Sequence, residues 1–227
     1  MTTRFLRLAA RGSAPALGRH FTRERGLALV VALVAVLLVS ALGSALVSMT
    51  TTELRIAGSG YDAEATRTAA HAAIDVGAWA VGRATSLTAL LDGSERSTLL
   101  GPAVAILPGD AGRRVDVAVE TARLQAETTA GRSWGVETPR WRPIVSGPLT
   151  TLLGLSPHAS VQYVVVWLAD DLEGDGNPLV DGNRIVWLHA EAFGATRGHH
   201  AVEAALECDP TWAPFVRIVW RRDEWQT

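Results

Sequence analysis

The chain opens its hydrophobic pattern with a run that no charge interrupts. From Leu27 to Met49 there are 23 uncharged residues, mostly Ala, Leu and Val, preceded by Arg23, Glu24, Arg25 and Gly26 and followed by Thr50, Thr51, Thr52 and Glu53. As a helix this run is about 35 Å long, enough to cross a hydrocarbon layer of about 30 Å. The pattern then changes without a break. From Thr50 to about Leu91 there is no Pro, and Ala65, Ala69, Ala72, Ala73, Val76 and Ala80 recur at three- and four-residue steps. That spacing lines one apolar face of a helix. Gly58, Ser59 and Gly60 soften or kink this helix rather than end it, and Asp92-Gly93 is the expected stop.

Beyond residue 102 helical spacing gives way to alternation. "RRVDVAVETARL" sets Val115, Val117 and Val119 against Asp116, Ala118 and Glu120, which predicts a half-buried strand. "SVQYVVVWLAD" (160–170) is a continuous β-branched and aromatic run, expected of a central strand. "NRIVWLHAEAF" and "HHAVEAALE" flank the Gly-bounded "GATRG" and predict a hairpin. "FVRIVWRRDEW" predicts a last strand. Four of the ten Pro fall between 131 and 158, so that stretch is expected to be an irregular loop. A long helix followed by antiparallel strands gives an α+β fold. The expected organisation is a basic leader (1–26), an apolar helix (27–49), an amphipathic continuation (50–92) and a β-rich domain (93–227).

Charge gives the apolar run an orientation. Of the 227 residues, the first 25 hold six Arg against one Glu, while the remainder holds 15 Arg against 22 acids. Excess Arg keeps its flank in the cytoplasm, so the expected topology is a single inner-membrane pass, N-in and C-out. The acidic balance of the remainder argues against nucleic acid as its partner, because phosphate binding needs a clustered basic face. Cys208 is the only cysteine, so no intramolecular disulfide is available, and it is read as a small hydrophobe. Three readings of the apolar run stay open at this point: a removable secretion signal, a simple anchor, or a helix retained for packing. A run longer than the usual 7–15 residues of a secretory signal weighs against the first.

The residues that follow narrow the choice. A basic leader ending in Gly26 and running straight into an apolar helix resembles the prepilin signal of type IV pilins and type II secretion pseudopilins. The finer order is similar to the N-terminal region of PilX-type minor pilins: the Leu/Val-rich run, "ALG", a Thr-Glu step, "IAG", the aromatic-Asp pair Tyr61-Asp62, then an Ala-rich helix. The resemblance spans residues 22 to 75. It implies cleavage by a prepilin peptidase between Gly26 and Leu27, and a pilin-like fold whose sheet lies on the later part of the N-terminal helix. It also implies assembly through that helix, to which Val31, Leu38, Gly43, Ala65, Ala69 and Ala73 belong. The implied partners are other major and minor pilins, the inner-membrane assembly platform and the lipid bilayer. One position departs from the pattern: the fifth residue after the cut, Glu in major pilins, is Val31 here. A subunit lacking that carboxylate cannot neutralise a neighbour's amino terminus, which favours a low-copy initiating or tip-proximal role.

Candidate chemistry is sparse. In "DDLEGDGNPLVDGN" the oxygen-bearing residues Asp171, Glu173 and Asp175 alternate ahead of Gly176, with Asn177 and Asp181 beyond, like the first half of a calcium loop. The twelfth place is Gly182, not Glu, and the competing reading is an acidic strand connector. Calcium is the one candidate cofactor. "HH" at 199 and 200 is read as surface decoration, because adjacent strand residues point to opposite faces. Trp167 and Trp187 are expected in the core, whereas Trp141, Trp212 and Trp225 are candidates for exposed contacts. No nucleophile elbow, phosphate loop, CxxC pair or HExxH helix is present, so no enzyme is expected.

Overall fold

The computed structural model describes residues 21–107, 112–131, 138–156, 162–171, 176–194, 198–209 and 216–224. Helix α1 (Phe21–Gly82) is a single element of 62 residues. The chain divides into two compact units, Met1–Arg55 and Ile56–Thr227. The described part of the first is the opening portion of α1. The second holds the rest of α1 and every other element.

The second unit is built around a five-stranded antiparallel sheet in the order β3-β4-β5-β6-β7. Its strands are β3 (Arg142–Pro148), β4 (Tyr163–Asp170), β5 (Ile185–Phe193), β6 (His199–Cys208) and β7 (Val216–Glu224). Side chains alternate between two faces, and both are covered. On one face Val164, Val166 and Leu168 of β4 join Leu188 and Ala190 of β5 and Val202 and Ala204 of β6. Against them pack Ala69, Ala73, Ile74 and Val81 of α1. The small residues let helix and sheet come close. A Cβ placed on Gly77 would lie 2.8 Å from Val166 Cγ1 and 3.0 Å from Leu188 Cδ1. The α+β architecture and the helix-on-sheet packing are therefore as the sequence predicts.

The other face carries Tyr163, Val165, Trp167 and Phe193, covered by α3 (Val117–Gly131) and by a small hairpin of β1 (Val104–Ile106) and β2 (Arg114–Asp116). With layers on both sides, all eight residues of β4 are buried, which explains its unbroken apolar run.

Three expectations fail. The strand read through Val115, Val117 and Val119 stops at Asp116, and α3 follows directly. Six alternating residues are too few to outweigh "ETARLQAET", which is rich in strong helix formers. Asp116 also switches the backbone, its Oδ1 accepting from Ala118 N at 3.1 Å and Val119 N at 3.4 Å as a helix N-cap. The long helix ends at Gly82 rather than near Leu91. Ser86 caps a separate short helix, α2 (Leu87–Asp92), and the Glu95 carboxylate binds Thr85 N and Ser86 N in the break. Gly93, at φ 82°, does end that second helix where a stop was expected. Finally, part of the supposed irregular loop is β3 and the one-turn α4 (Leu149–Leu152). β3 is an edge strand, where Pro143 and Pro148 remove donors that no second neighbour needs.

Candidate functional site

Along the described apolar run, the large apolar side chains are exposed. Leu27 is 70% exposed, and Val31 and Leu38 are exposed by similar fractions. A Cβ on Gly43 would meet no atom within 4 Å. The helix from Gly26 onward is long and apolar enough to cross a membrane. Large apolar side chains exposed at intervals along an uncharged run of 23 residues are costly in water and demand lipid or another protein surface. Within the second unit, Ala69 and Ala73 are buried on the sheet and Ala65 is half-buried. Those residues hold the sheet in this structure.

The motif residue Asp62 lies on α1 against the β5–β6 connection. Its Oδ2 accepts from Gly198 N at 3.0 Å, and Gly194 N donates to Gly198 O at 2.7 Å. Beside it Thr66 Oγ1 donates to the Asp62 carbonyl at 2.6 Å.

The α3 face of the sheet hides a charged network. Glu191 is fully buried, with His189 Nε2 at 3.0 Å from Oε1, His199 Nε2 at 3.0 Å from Oε2, and the Arg123 guanidinium bonded to Oε1. Burial alone would raise the Glu191 carboxyl, but hydrogen bonds from His189 and His199, with their charge, hold it well below the usual carboxylate range. Arg123 also pairs with Glu120 and Glu127 along α3. The network joins α3 to β5 and β6. Sequence reasoning missed it, although His189 and Glu191 stand two apart among the inward positions of β5.

Trp141 corrects an expectation: it is buried rather than an exposed contact. Gln125 fastens its segment from both sides, donating to Pro139 O at 2.9 Å and accepting from Trp141 N at 3.0 Å. Its indole Nε1 donates to Thr128 Oγ1 at 2.8 Å. Trp167 is fully buried, while Trp187 is half-buried and rests on Trp220, ring centroids 6.0 Å apart. Trp212 and Trp225 lie outside the described residues. A cleft of about 900 Å³ opens between α3 and β3, with Arg96, Gln125, Arg140, Trp141 and Arg142 in its walls. Arg142 is already engaged, its Nε donating to Leu91 O at 2.8 Å.

Of the calcium candidates, Glu173 and Asp175 fall outside the described residues. Asp171 accepts from Asn183 Nδ2 at 2.9 and 3.1 Å, Asn177 Oδ1 from Leu179 N at 3.2 Å, and Asp181 Oδ1 from Arg184 N at 2.7 Å. These are the local bonds of an Asx-rich connector. The calcium expectation rests on residue spacing alone.

The two histidines of "HH" do face opposite sides, but neither is surface decoration. His199 reaches Glu191, and His200 faces α1 together with His71 and Asp223.

An apolar, outward-facing helix whose later part becomes the core of an α+β head is the arrangement of a pilin. Comparison of sequences agrees: residues 25–75 match the family model described as PilX N-terminal. Over this stretch, less than a quarter of the chain, the sequence is similar to the N-terminal segment of PilX pilins. Neither a curated protein nor a solved structure matches the chain.

Proposed function

We propose that the chain is a minor, low-copy subunit of a type IV pilus. In this reading a prepilin peptidase cuts between Gly26 and Leu27. The subunit waits in the inner membrane, N-in and C-out, and the assembly platform moves it into the fibre. There Leu27–Met49 exchanges lipid for the helices of other major and minor pilins. The observation that carries the reading is the match over residues 25–75, reinforced by an apolar helix exposed at Leu27, Val31 and Leu38. Val31 in place of a carboxylate supports an initiating or tip-proximal position, since a buried amine without a partner is costly for the subunit beneath. A type II secretion pseudopilin is the neighbouring reading and shares the same helix.

The test is to express the chain with a prepilin peptidase, extract it from membranes and determine its N-terminus. A mature chain beginning at Leu27 is expected. An intact leader in the native host, with the chain absent from sheared fibres, would instead indicate a single-pass binding or sensor protein.

A further inference from the structure

His71 on α1, His200 on β6 and Asp223 on β7 are far apart in sequence, yet each brings one ligand-type atom within 4.8 Å of the others. His71 Nε2 lies 2.8 Å from Asp223 Oδ1, and the two imidazole centroids are 6.3 Å apart. Two nitrogens and one carboxylate oxygen form the donor set of a borderline divalent transition-metal ion, with a fourth place left to water. At metal–ligand distances of about 2.0–2.1 Å, tetrahedral ligands stand about 3.3 Å apart. The widest pair must therefore close by at most about 1.5 Å. We propose that His71, His200 and Asp223 bind one Zn2+ ion, which ties the N-terminal helix to the last two strands of the sheet.

The surroundings favour this set. Arg67 Nη2 donates to Asp223 Oδ2 at 2.9 Å, so it orients the carboxylate and leaves Oδ1 turned to His71. Such outer contacts fix ligand geometry. The same guanidinium repels a cation, which limits affinity. Burial lowers the proton affinity of His200 against the pull of Asp223, and Arg67, His71 and His199 lower it further. The neutral imidazole is the form that coordinates a metal. The side chains of His71 and Asp223 are 31% and 19% exposed, so an ion has a way in.

The experiment uses the full, untagged chain in detergent micelles, titrated with Zn2+ and separately with Co2+ as a spectroscopic probe. One equivalent of Zn2+ is expected to bind and raise the melting temperature, with EDTA reversing both effects, and Co2+ should show the visible bands of a low-symmetry site. His200→Ala and Asp223→Asn should each weaken binding by at least about tenfold, whereas Glu127→Gln, on exposed α3 across the sheet, should leave it unchanged. If a variant fails to fold, imidazole NMR shifts of His71 and His200 in the unaltered chain decide the matter, since both must move on adding Zn2+. Absence of saturable binding, unchanged affinity in His200→Ala, or shifts confined to other histidines would overturn the proposal.

Discussion

The Asp62 carboxylate holds the Gly198 amide at 3.0 Å, so one residue of the N-terminal helix fixes the chain where it returns from β5 into β6. The contact explains why glycine stands on both sides of that return. A Cβ on Gly194 would lie 2.5 Å from Asp62 Oδ1, and one on Gly198 would lie 2.5 Å from Thr66 Oγ1. Gly198→Ala is expected to destabilise the head by about 1–3 kcal/mol through overpacking. Asp62→Ala should cost a similar amount by leaving a half-buried amide unsatisfied. Denaturant melts of the two single variants and the double variant check this, and non-additivity is expected because both act on one contact.

Two glycines of the same helix should respond in opposite ways. Gly77→Ala drives a methyl into Val166 and Leu188 and should destabilise by about 1–3 kcal/mol. Gly58→Ala meets no atom within 4 Å and should stabilise the helix by up to about 1 kcal/mol. Thermal unfolding of the pair under identical detergent conditions gives the comparison.

The buried network predicts a specific acid sensitivity. Because the Glu191 carboxyl is held below its ordinary range, the folded state takes up that proton less readily than the unfolded chain. Its contribution is present in full above the unfolded value, about 4.3, and is lost as pH falls below it. Glu191→Gln should lower stability at pH 7 by about 3 kcal/mol, near the lower end for a broken buried ion pair because Arg123 still reaches solvent. The variant should also flatten the fall in stability below pH 4.3. Melting curves from pH 3 to 7 measure both.

Cys208 should be chemically quiet. Burial, with Asp181 and Glu207 nearby, pushes its thiol up to about 12, so only roughly one molecule in ten thousand is thiolate at pH 8. Alkylation by iodoacetamide should be slow in the folded protein and rise to the rate of a free thiol on unfolding, as mass spectrometry would record.

The sequence discloses elements where one signal dominates. The step of three and four from Ala65 to Ala80 gives the buried face of α1, and the unbroken run from Tyr163 to Asp170 gives a strand covered on both sides. It misleads where a local signal competes with tertiary context. Pro143 and Pro148 hide β3, because an edge position cannot be read from one strand. Val117 and Val119 hide the start of α3, since the capping role of Asp116 shows only in its bonds to Ala118 and Val119. The cluster of His71, His200 and Asp223 is set by the pairing of β6 with β7 and by the seating of α1. No spacing along the chain encodes that convergence.

Ile74 and its alanine neighbours sit in the middle of the head although they belong to the helix that starts before the apolar run. That stretch of helix is therefore one layer of the folded body, and without it one face of the sheet would lie bare. A fragment trimmed past Asp62 would lose the carboxylate that holds the Gly198 amide at the start of β6.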